Sequence, residues 1–254
     1  DSDPPGLFRL DWAATASGGR ASPKYTKYHS DTPAGSPVEA AEPELAEPEG
    51  PWYLKLKDRL MELPERADPM VLMAQAGVLV VMVIWGIRLI SYKVMTAEIN
   101  GSFMHLVDLP IHEFGHPLFR PFGEWMMYLG GSLFQCLLPA ILGVVFVWKY
   151  RNPFAASFCL WWTGENVVDV APYIYDAKLM ALPLTGEWND EVAEMHVQRH
   201  DWHNILEPLG AVNSAPHIGM VAHGLGAGIM ALACLWGGWW LWRGWQQTRR
   251  ESVP

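Results

Sequence analysis

A long apolar run over residues 70–90 constrains this chain more than any other feature of its sequence. The run carries a single charged residue, Arg88, and it matches the roughly 20 apolar residues that a helix needs to cross a bilayer. Further apolar runs cover residues 125–148, about 154–175 and 217–242. The sequence therefore predicts an all-α polytopic membrane protein with four to five transmembrane helices, a short HExxH helix and an extended N-terminal arm.

The charge distribution excludes one class of partner. The chain of 254 residues has a net charge of −9, and no basic stripe is available to neutralise phosphates, so we expect no nucleic acid partner. The three cysteines, Cys136, Cys159 and Cys234, all fall within apolar runs and far from one another. They are predicted to be small buried hydrophobes rather than a disulfide framework.

Composition divides the chain into four parts. Residues 1–51 are rich in Pro, Ala and Glu and predict an extended arm that cannot bury enough apolar surface to fold alone; it can instead lie along partner subunits. Residues 52–69 predict an amphipathic helix at the membrane surface. Residues 70–243 form the transmembrane domain, which includes a polar loop at 176–215, and residues 244–254 form a basic tail.

Loop charges predict the orientation. In a four-span topology with a re-entrant or interfacial HEFGH segment, Lys and Arg gather at the N-terminal flank, in the "KYRN" turn and in the C-terminal tail. By the positive-inside rule this side is cytoplasmic, and a bacterial inner membrane with lipid contacts is the predicted location. The end of the HEFGH segment, the end of the third span and the polar loop then meet at the opposite face.

The motif "HEFGH", residues 112–116, carries the chemistry. His112 and His116 are four residues apart, so both imidazoles lie on one face of a helix and can bind one zinc ion. Glu113 lies beside that position, where it can act as the general base towards a zinc-activated water. Asp108 is expected to cap the start of this helix, and Pro117 is expected to end or kink it, which places His116 in the final turn.

With this motif in an apolar setting, the sequence resembles the site-2 protease family of intramembrane zinc metalloproteases. The resemblance rests on "HEFGH" among apolar segments, the Gly-bearing "YLGGSLFQCLLPAIL" and the acidic "WWTGENVVDVAPYIYDA", and it covers roughly residues 100–180. It implies that His112 and His116 bind zinc, that Glu113 is the base, and that a transmembrane aspartate is the third ligand. The family's Asn-Pro-Asp-Gly-like stretch has no counterpart here, so Asp169 is the predicted third ligand, with Asp176 behind it.

Other polar residues are weaker candidates. His200, Asp201 and His203 form a second cluster in "HVQRHDWHNIL"; this cluster can bind metal, His203 can replace Asp169, and Asp201 can orient an imidazole. Alternatively, these residues belong to an exposed polar loop that binds no metal. Glu165 and Asn166 are candidates for contacts behind the metal ligands, while His105 is assigned no role.

Two histidines open the last apolar run. His217 or His223 could ligate haem or a chlorophyll-type pigment, whereas packing through the small residues of "VAHGLGAG" explains the same stretch without any ligand.

These features support two functions. The leading hypothesis is an intramembrane zinc metallopeptidase that hydrolyses a peptide bond of a membrane-protein substrate in or near the membrane. The alternative is an accessory or assembly subunit of a larger membrane complex, with a structural or vestigial metal site and with residues 1–51 binding partner subunits.

Overall fold

The described part of the chain is helical. The computed structural model describes residues 51–63, 68–182 and 200–251, and no strand occurs within these ranges. Four short 3-10 turns join the longer helices. The helices are α1 (Trp52–Met61), α2 (Pro69–Ser91), α3 (Phe103–Phe119), α4 (Glu124–Trp148), α5 (Pro153–Asp176), α6 (Asp201–Leu206) and α7 (Ala215–Glu251).

Three of these helices, α2, α4 and α7, are long and apolar enough to cross a membrane. The all-α class is confirmed, and three helices of spanning length and composition are consistent with a membrane protein. The count of four to five spans stays a prediction. Helix α5 occupies the position predicted for the third span, but its inner face carries Glu165, Asn166 and Asp169, all buried. With these polar residues, α5 has no stretch as apolar as those of the other three helices.

The outward faces of α2, α4 and α7 are apolar. A surface of this kind on helices of spanning length suits lipid rather than water. Examples of exposed side chains are Val80, Ile84 and Ile87 on α2, Ile141 and Val144 on α4, and Leu225, Leu232 and Leu235 on α7.

Helix α5 is the centre of the bundle, since it contacts both α4 and α7. Its contact with α7 depends on glycine. A Cβ atom added to Gly226 would lie 2.6 Å from the carbonyl oxygen of Gly164, and one added to Gly164 would lie 2.8 Å from that of Gly226. The two backbones therefore touch, as small residues allow between membrane helices. This supports packing as the reason for the small residues around His223.

The end of the bundle away from HEFGH is held by polar contacts to the last turn of α1 and the residue after it. Trp236 and Trp240 on α7 donate to the carbonyl oxygens of Leu60 and Glu62 at 3.1 and 2.8 Å. Arg151, in the turn between α4 and α5, forms an ion pair of 3.1 Å with the Glu62 carboxylate. These contacts bring the N-terminal flank, the "KYRN" turn and α7 together; their assignment to the cytoplasmic side stays a prediction.

Several predicted boundaries shift. Helix α1 ends at Met61 and α2 begins at Pro69, so one helix does not cover all of residues 52–69, and α7 continues as helix to Glu251 through most of the predicted tail. The arm up to residue 50, and residues 183–199 of the polar loop with His196, lie outside the described residues.

The predicted start of the HEFGH helix is wrong. Helix α3 begins at Phe103, where the Ser102 hydroxyl caps it by accepting a hydrogen bond of 3.1 Å from the His105 backbone N–H. Asp108 lies inside the helix and is fully buried. The expectation for the other end is confirmed, because α3 stops two residues after Pro117 and His116 lies in its last turn.

We expect Gly226→Ala to destabilise the bundle, because the new methyl group would collide with the Gly164 carbonyl oxygen. Overpacking of this kind costs about 1–3 kcal/mol, measurable as a lower unfolding midpoint in detergent. Gly224→Ala is the matched control, since a Cβ at Gly224 has no atom within 4 Å. An equal effect of the two substitutions would contradict the packing role of Gly226.

Candidate metal centre

The polar residues of the bundle converge on one cavity between α3, α4, α5 and α6. Its volume is about 330 Å³, which lies at the small end of the range for ligand pockets. Its polar lining consists of Asn100, His105, His112, Glu113, His116, Tyr128, Gln135, Asp169, Tyr173 and Asp201. Part of the predicted convergence is thus present: the HEFGH motif, Asp169 and Asp201 line one cavity, whereas Asp176 and His217 do not.

Helix α3 presents the motif to this cavity in the expected way. The rings of His112 and His116 lie on the same face with their centroids 5.0 Å apart. His112 is buried and His116 is half-buried. The side chain of Glu113 is exposed and lines the cavity beside them.

Both imidazoles are oriented through Nδ1. The Nδ1 atom of His116 lies 2.9 Å from the Met127 carbonyl oxygen, and that of His112 lies 3.0 Å from the Gln135 side-chain oxygen. A carbonyl oxygen can only accept, so in both rings Nδ1 carries the hydrogen. The Gln135 amide is itself fixed, because its nitrogen donates to the Asp169 carboxylate at 2.9 Å. In the neutral rings, Nε2 is therefore left with a lone pair.

The Asp201 carboxylate completes the group. Its Oδ2 atom lies 3.3 Å from Nε2 of His112 and 3.4 Å from Nε2 of His116. Among the described residues, His112, His116 and Asp201 form a group whose ligand atoms are close enough together to hold one metal ion. In a tetrahedral zinc site with bonds of about 2.0–2.1 Å, neighbouring ligand atoms are about 3.3–3.4 Å apart. The two measured separations match that spacing.

Helix α6 holds Asp201 in place through contacts to α4 and α5. The Asp201 backbone N–H donates to the Tyr173 hydroxyl at 2.9 Å, and that hydroxyl lies 3.3 Å from the Asp201 carboxylate. Trp202 donates to the Ser132 hydroxyl at 3.0 Å, and Trp125 donates to the Ile205 carbonyl oxygen at 3.2 Å. The aspartate is therefore fixed on both sides, although it comes from a connecting segment.

Glycines set the spacing between α3 and α4. A Cβ on Gly130 would lie 2.6 Å from the Gly115 carbonyl oxygen, so the two helices are in backbone contact. The next glycine of α4, Gly131, lies against His112, which is one turn before Gly115 on α3. A Cβ atom on Gly131 would lie 2.6 Å from Nε2 of His112. Gly131 thus leaves the space into which the ligating edge of that imidazole projects.

Titratable groups on α3, which is not one of the three long apolar helices, have shifted pKa values. Burial lowers the pKa of His112, but the hydrogen bond and charge of Asp201 more than offset this, and the pKa lies above its ordinary value. Burial raises the pKa of Asp108 to about 6. Because metal ligation needs an unprotonated imidazole, a cation binding here would compete with the proton that Asp201 favours on His112.

The predicted third ligand, Asp169, does not belong to this group. Its carboxylate lies 2.9 Å from Nδ1 of His105 and accepts from Gln135, so it supports His112 from behind. Asp201, predicted to orient an imidazole or to bind metal with its loop neighbours, instead faces the Nε2 atoms of both histidines. Asp169 projects from the middle of α5, one turn before Tyr173, which reaches Asp201.

Other candidates are engaged elsewhere. The Asp176 carboxylate accepts from the backbone N–H groups of Ala181 and Leu182, both at 3.0 Å, and lies 3.4 Å from His200. Nδ1 of His203 lies 2.8 Å from the Ala177 carbonyl oxygen. These residues therefore join the end of α5 to the start of α6 and do not belong to the group of His112, His116 and Asp201.

Glu165 and Asn166 lie behind the site without reaching it. Asn166 donates to the Trp162 carbonyl oxygen at 2.9 Å. Glu165 is fully buried beside the Asp108 carboxylate. The Asp108 carboxylate accepts from Trp162 at 2.9 Å.

The two histidines of α7 are not part of the cavity. His217 is exposed at the start of the helix, and His223 is half-buried. Within the described residues, Nε2 of His223 has no hydrogen-bond partner. Neither histidine lines the cavity that contains His112, His116 and Asp201. The pigment hypothesis stays a prediction.

Three contributors to the site were missed in the sequence. Gln135 and Tyr173 lie within apolar runs, and Met127 contributes a backbone carbonyl oxygen, for which no residue type is diagnostic. A polar residue in an apolar run is a weak signal of function, and Gln135 in "SLFQCLL" offered that signal.

Comparisons with known proteins add no relative. No protein-family model matches this chain, and no curated protein or solved structure matches it. The function of the chain therefore has to be inferred from the site itself.

We expect Gly131→Ala to weaken metal binding, because its methyl group would occupy the space of the His112 ring edge. Displacing a supported ligand costs on the order of 10–100-fold in affinity, which competition with a zinc chelator would measure. Gly143→Ala, on the same helix, is the control, since its nearest neighbour would be the Cys159 Cβ atom at 3.3 Å. Unchanged zinc affinity in Gly131→Ala would show that zinc binds at another site.

Proposed function

We propose that this chain is an intramembrane zinc metallopeptidase, which hydrolyses a peptide bond in or near the membrane. One observation carries the proposal. Two imidazoles whose Nδ1 hydrogens are already donated turn their Nε2 atoms towards one carboxylate oxygen, at 3.3 and 3.4 Å. Three acceptors that face one another in a mostly buried site call for a shared cation.

The donor set favours zinc. Two neutral imidazoles and one carboxylate form the ligand set of catalytic zinc sites, which keep a fourth position open. When bound, zinc acts as a Lewis acid and lowers the pKa of a water towards neutrality. The Gln135 and Met127 oxygens orient the ligands in the way that supporting residues do in such sites, and the cavity in front of them leaves room for a substrate.

Glu113 is placed to handle the proton. It lines the cavity next to His112, and its negative charge acts on both His112 and Tyr173. As general base, its carboxylate takes a proton from the water that attacks the scissile carbonyl carbon. It then passes this proton to the amine nitrogen as the carbon–nitrogen bond breaks.

The surroundings favour a substrate drawn from the membrane. The described residues include three helices long and apolar enough to cross a membrane, and one of them, α4, lines the cavity. We infer that α5 crosses the membrane with them as a fourth span. The resemblance to site-2 proteases supports the same reaction. Here, however, the third ligand is Asp201 on a connecting helix, not an aspartate within a spanning helix.

The ligand assignment predicts different results for two matched substitutions. We expect about one equivalent of zinc in the purified protein, loss of most of it in Asp201→Asn, and retention in Asp169→Asn, because only Asp201 faces both Nε2 atoms. Metal analysis by mass spectrometry measures this directly. Retention in Asp201→Asn together with loss in Asp169→Asn would move the third ligand to α5.

Catalysis is tested by Glu113→Gln, which removes the base and leaves the metal ligands untouched. We expect normal zinc content and a fall in hydrolysis of about 10²–10⁴-fold, with uncleaved substrate accumulating in cells. His112→Ala should lose both zinc and activity. Zinc binding without any hydrolysis in the unaltered protein would contradict the peptidase and favour a structural metal in an accessory subunit.

A further inference from the structure

A second polar pair lies in the wall of the same cavity. Nδ1 of His105 lies 2.9 and 3.1 Å from the two oxygens of the Asp169 carboxylate. The Asp169 side chain is almost closed off, at 4% exposed, while that of His105 keeps 22% and lines the cavity. An ion pair with only a packing role would be buried on both sides, whereas the His105 imidazole is exposed to the cavity.

The position of His105 relates it to the metal ligands. It precedes His112 by seven residues on α3, so both side chains lie on one face of the helix about two turns, or about 10 Å, apart. Asp169 is also connected to His112, since Gln135 bridges the two residues. The cavity therefore has the metal ligands at one end and an imidazole backed by a carboxylate at the other.

The contact with Asp169 fixes the role of each ring nitrogen. The carboxylate accepts from Nδ1, which leaves Nε2 as the one remaining polar atom of the ring. The hydrogen bond and charge of Asp169 outweigh burial and hold the pKa of His105 above its ordinary value, which favours a hydrogen on Nε2. The charges facing this ring come from Asp169 on α5 and Asp108 on α3.

We propose that His105 is a substrate-binding residue, which donates a hydrogen bond from Nε2 to a backbone carbonyl oxygen of the peptide about three residues from the scissile bond. An extended peptide rises about 3.3–3.6 Å per residue, so three residues cover the roughly 10 Å between the two ends. Asp169 acts through His105 and is a positioning residue. This inference rests on the proposed peptidase function and identifies how that site recognises an extended segment.

Peptide hydroxamates of increasing length provide the test, because the hydroxamate group binds zinc and the peptide extends from it. Acetohydroxamate reaches the metal alone, whereas an acylated trialanine hydroxamate also reaches His105. In the zinc-loaded protein we expect His105→Phe to raise the Kd of the trialanine compound by about 10–100-fold, the effect of losing a hydrogen bond to a charged group. The Kd of acetohydroxamate should stay within about two-fold.

The control is His217→Phe, which alters an exposed histidine outside the cavity and should leave both Kd values unchanged. Equal shifts for both compounds in His105→Phe, or none for either, would overturn the proposal. A second measurement needs no variant: in the unaltered protein, affinity should rise when a dialanine hydroxamate is extended to trialanine, and no rise would also overturn it. Failure of acetohydroxamate to bind the zinc-loaded protein would instead contradict the metallopeptidase itself.

Discussion

The structure of the site depends on two hydrogen bonds that do not touch the metal position. The Met127 carbonyl oxygen and the Gln135 amide oxygen each accept from an Nδ1 atom, and together they decide which edge of each imidazole faces Asp201. Moving the hydrogen of either ring from Nδ1 to Nε2 would place an N–H against the carboxylate and give an ordinary hydrogen-bonded pair. Both of these acceptors belong to α4, which packs against α3 through glycine contacts that leave no room for a side chain.

Polar groups inside the bundle form a connected series rather than isolated sites. From His105 the contacts run through Asp169 and Gln135 to His112, with Asp201 and Tyr173 beyond. Such a series is costly in an apolar environment unless its members satisfy one another. Helix α5 contributes to it at Asp169 and Tyr173, so polar members of the series lie on the most buried of the four long helices.

Features set by local spacing were predictable from the sequence. The apolar runs marked the long helices, and the i, i+4 histidines with Glu113 between them marked the cavity, because helical geometry alone brings such residues together. Asp201 is 89 residues after His112 and lies in a polar stretch with other histidines, so nothing local distinguishes it from His200 or His203. The choice of Asp169 came from the family resemblance; the structure gives that residue to His105 and Gln135 instead. The predicted start of α3 is wrong because Asp108 is a typical cap residue, whereas Ser102 caps the helix about two turns earlier.

The source of the third ligand has a consequence for assembly. Two of the proposed ligands stand on a helix in backbone contact with its neighbour, while the third belongs to a six-residue helix between α5 and α7. A cation bound by all three would add a link to the hydrogen bonds that already hold this connecting helix against α4 and α5. Moving the connecting helix alone would then complete or dismantle such a centre, with the long helices left where they are.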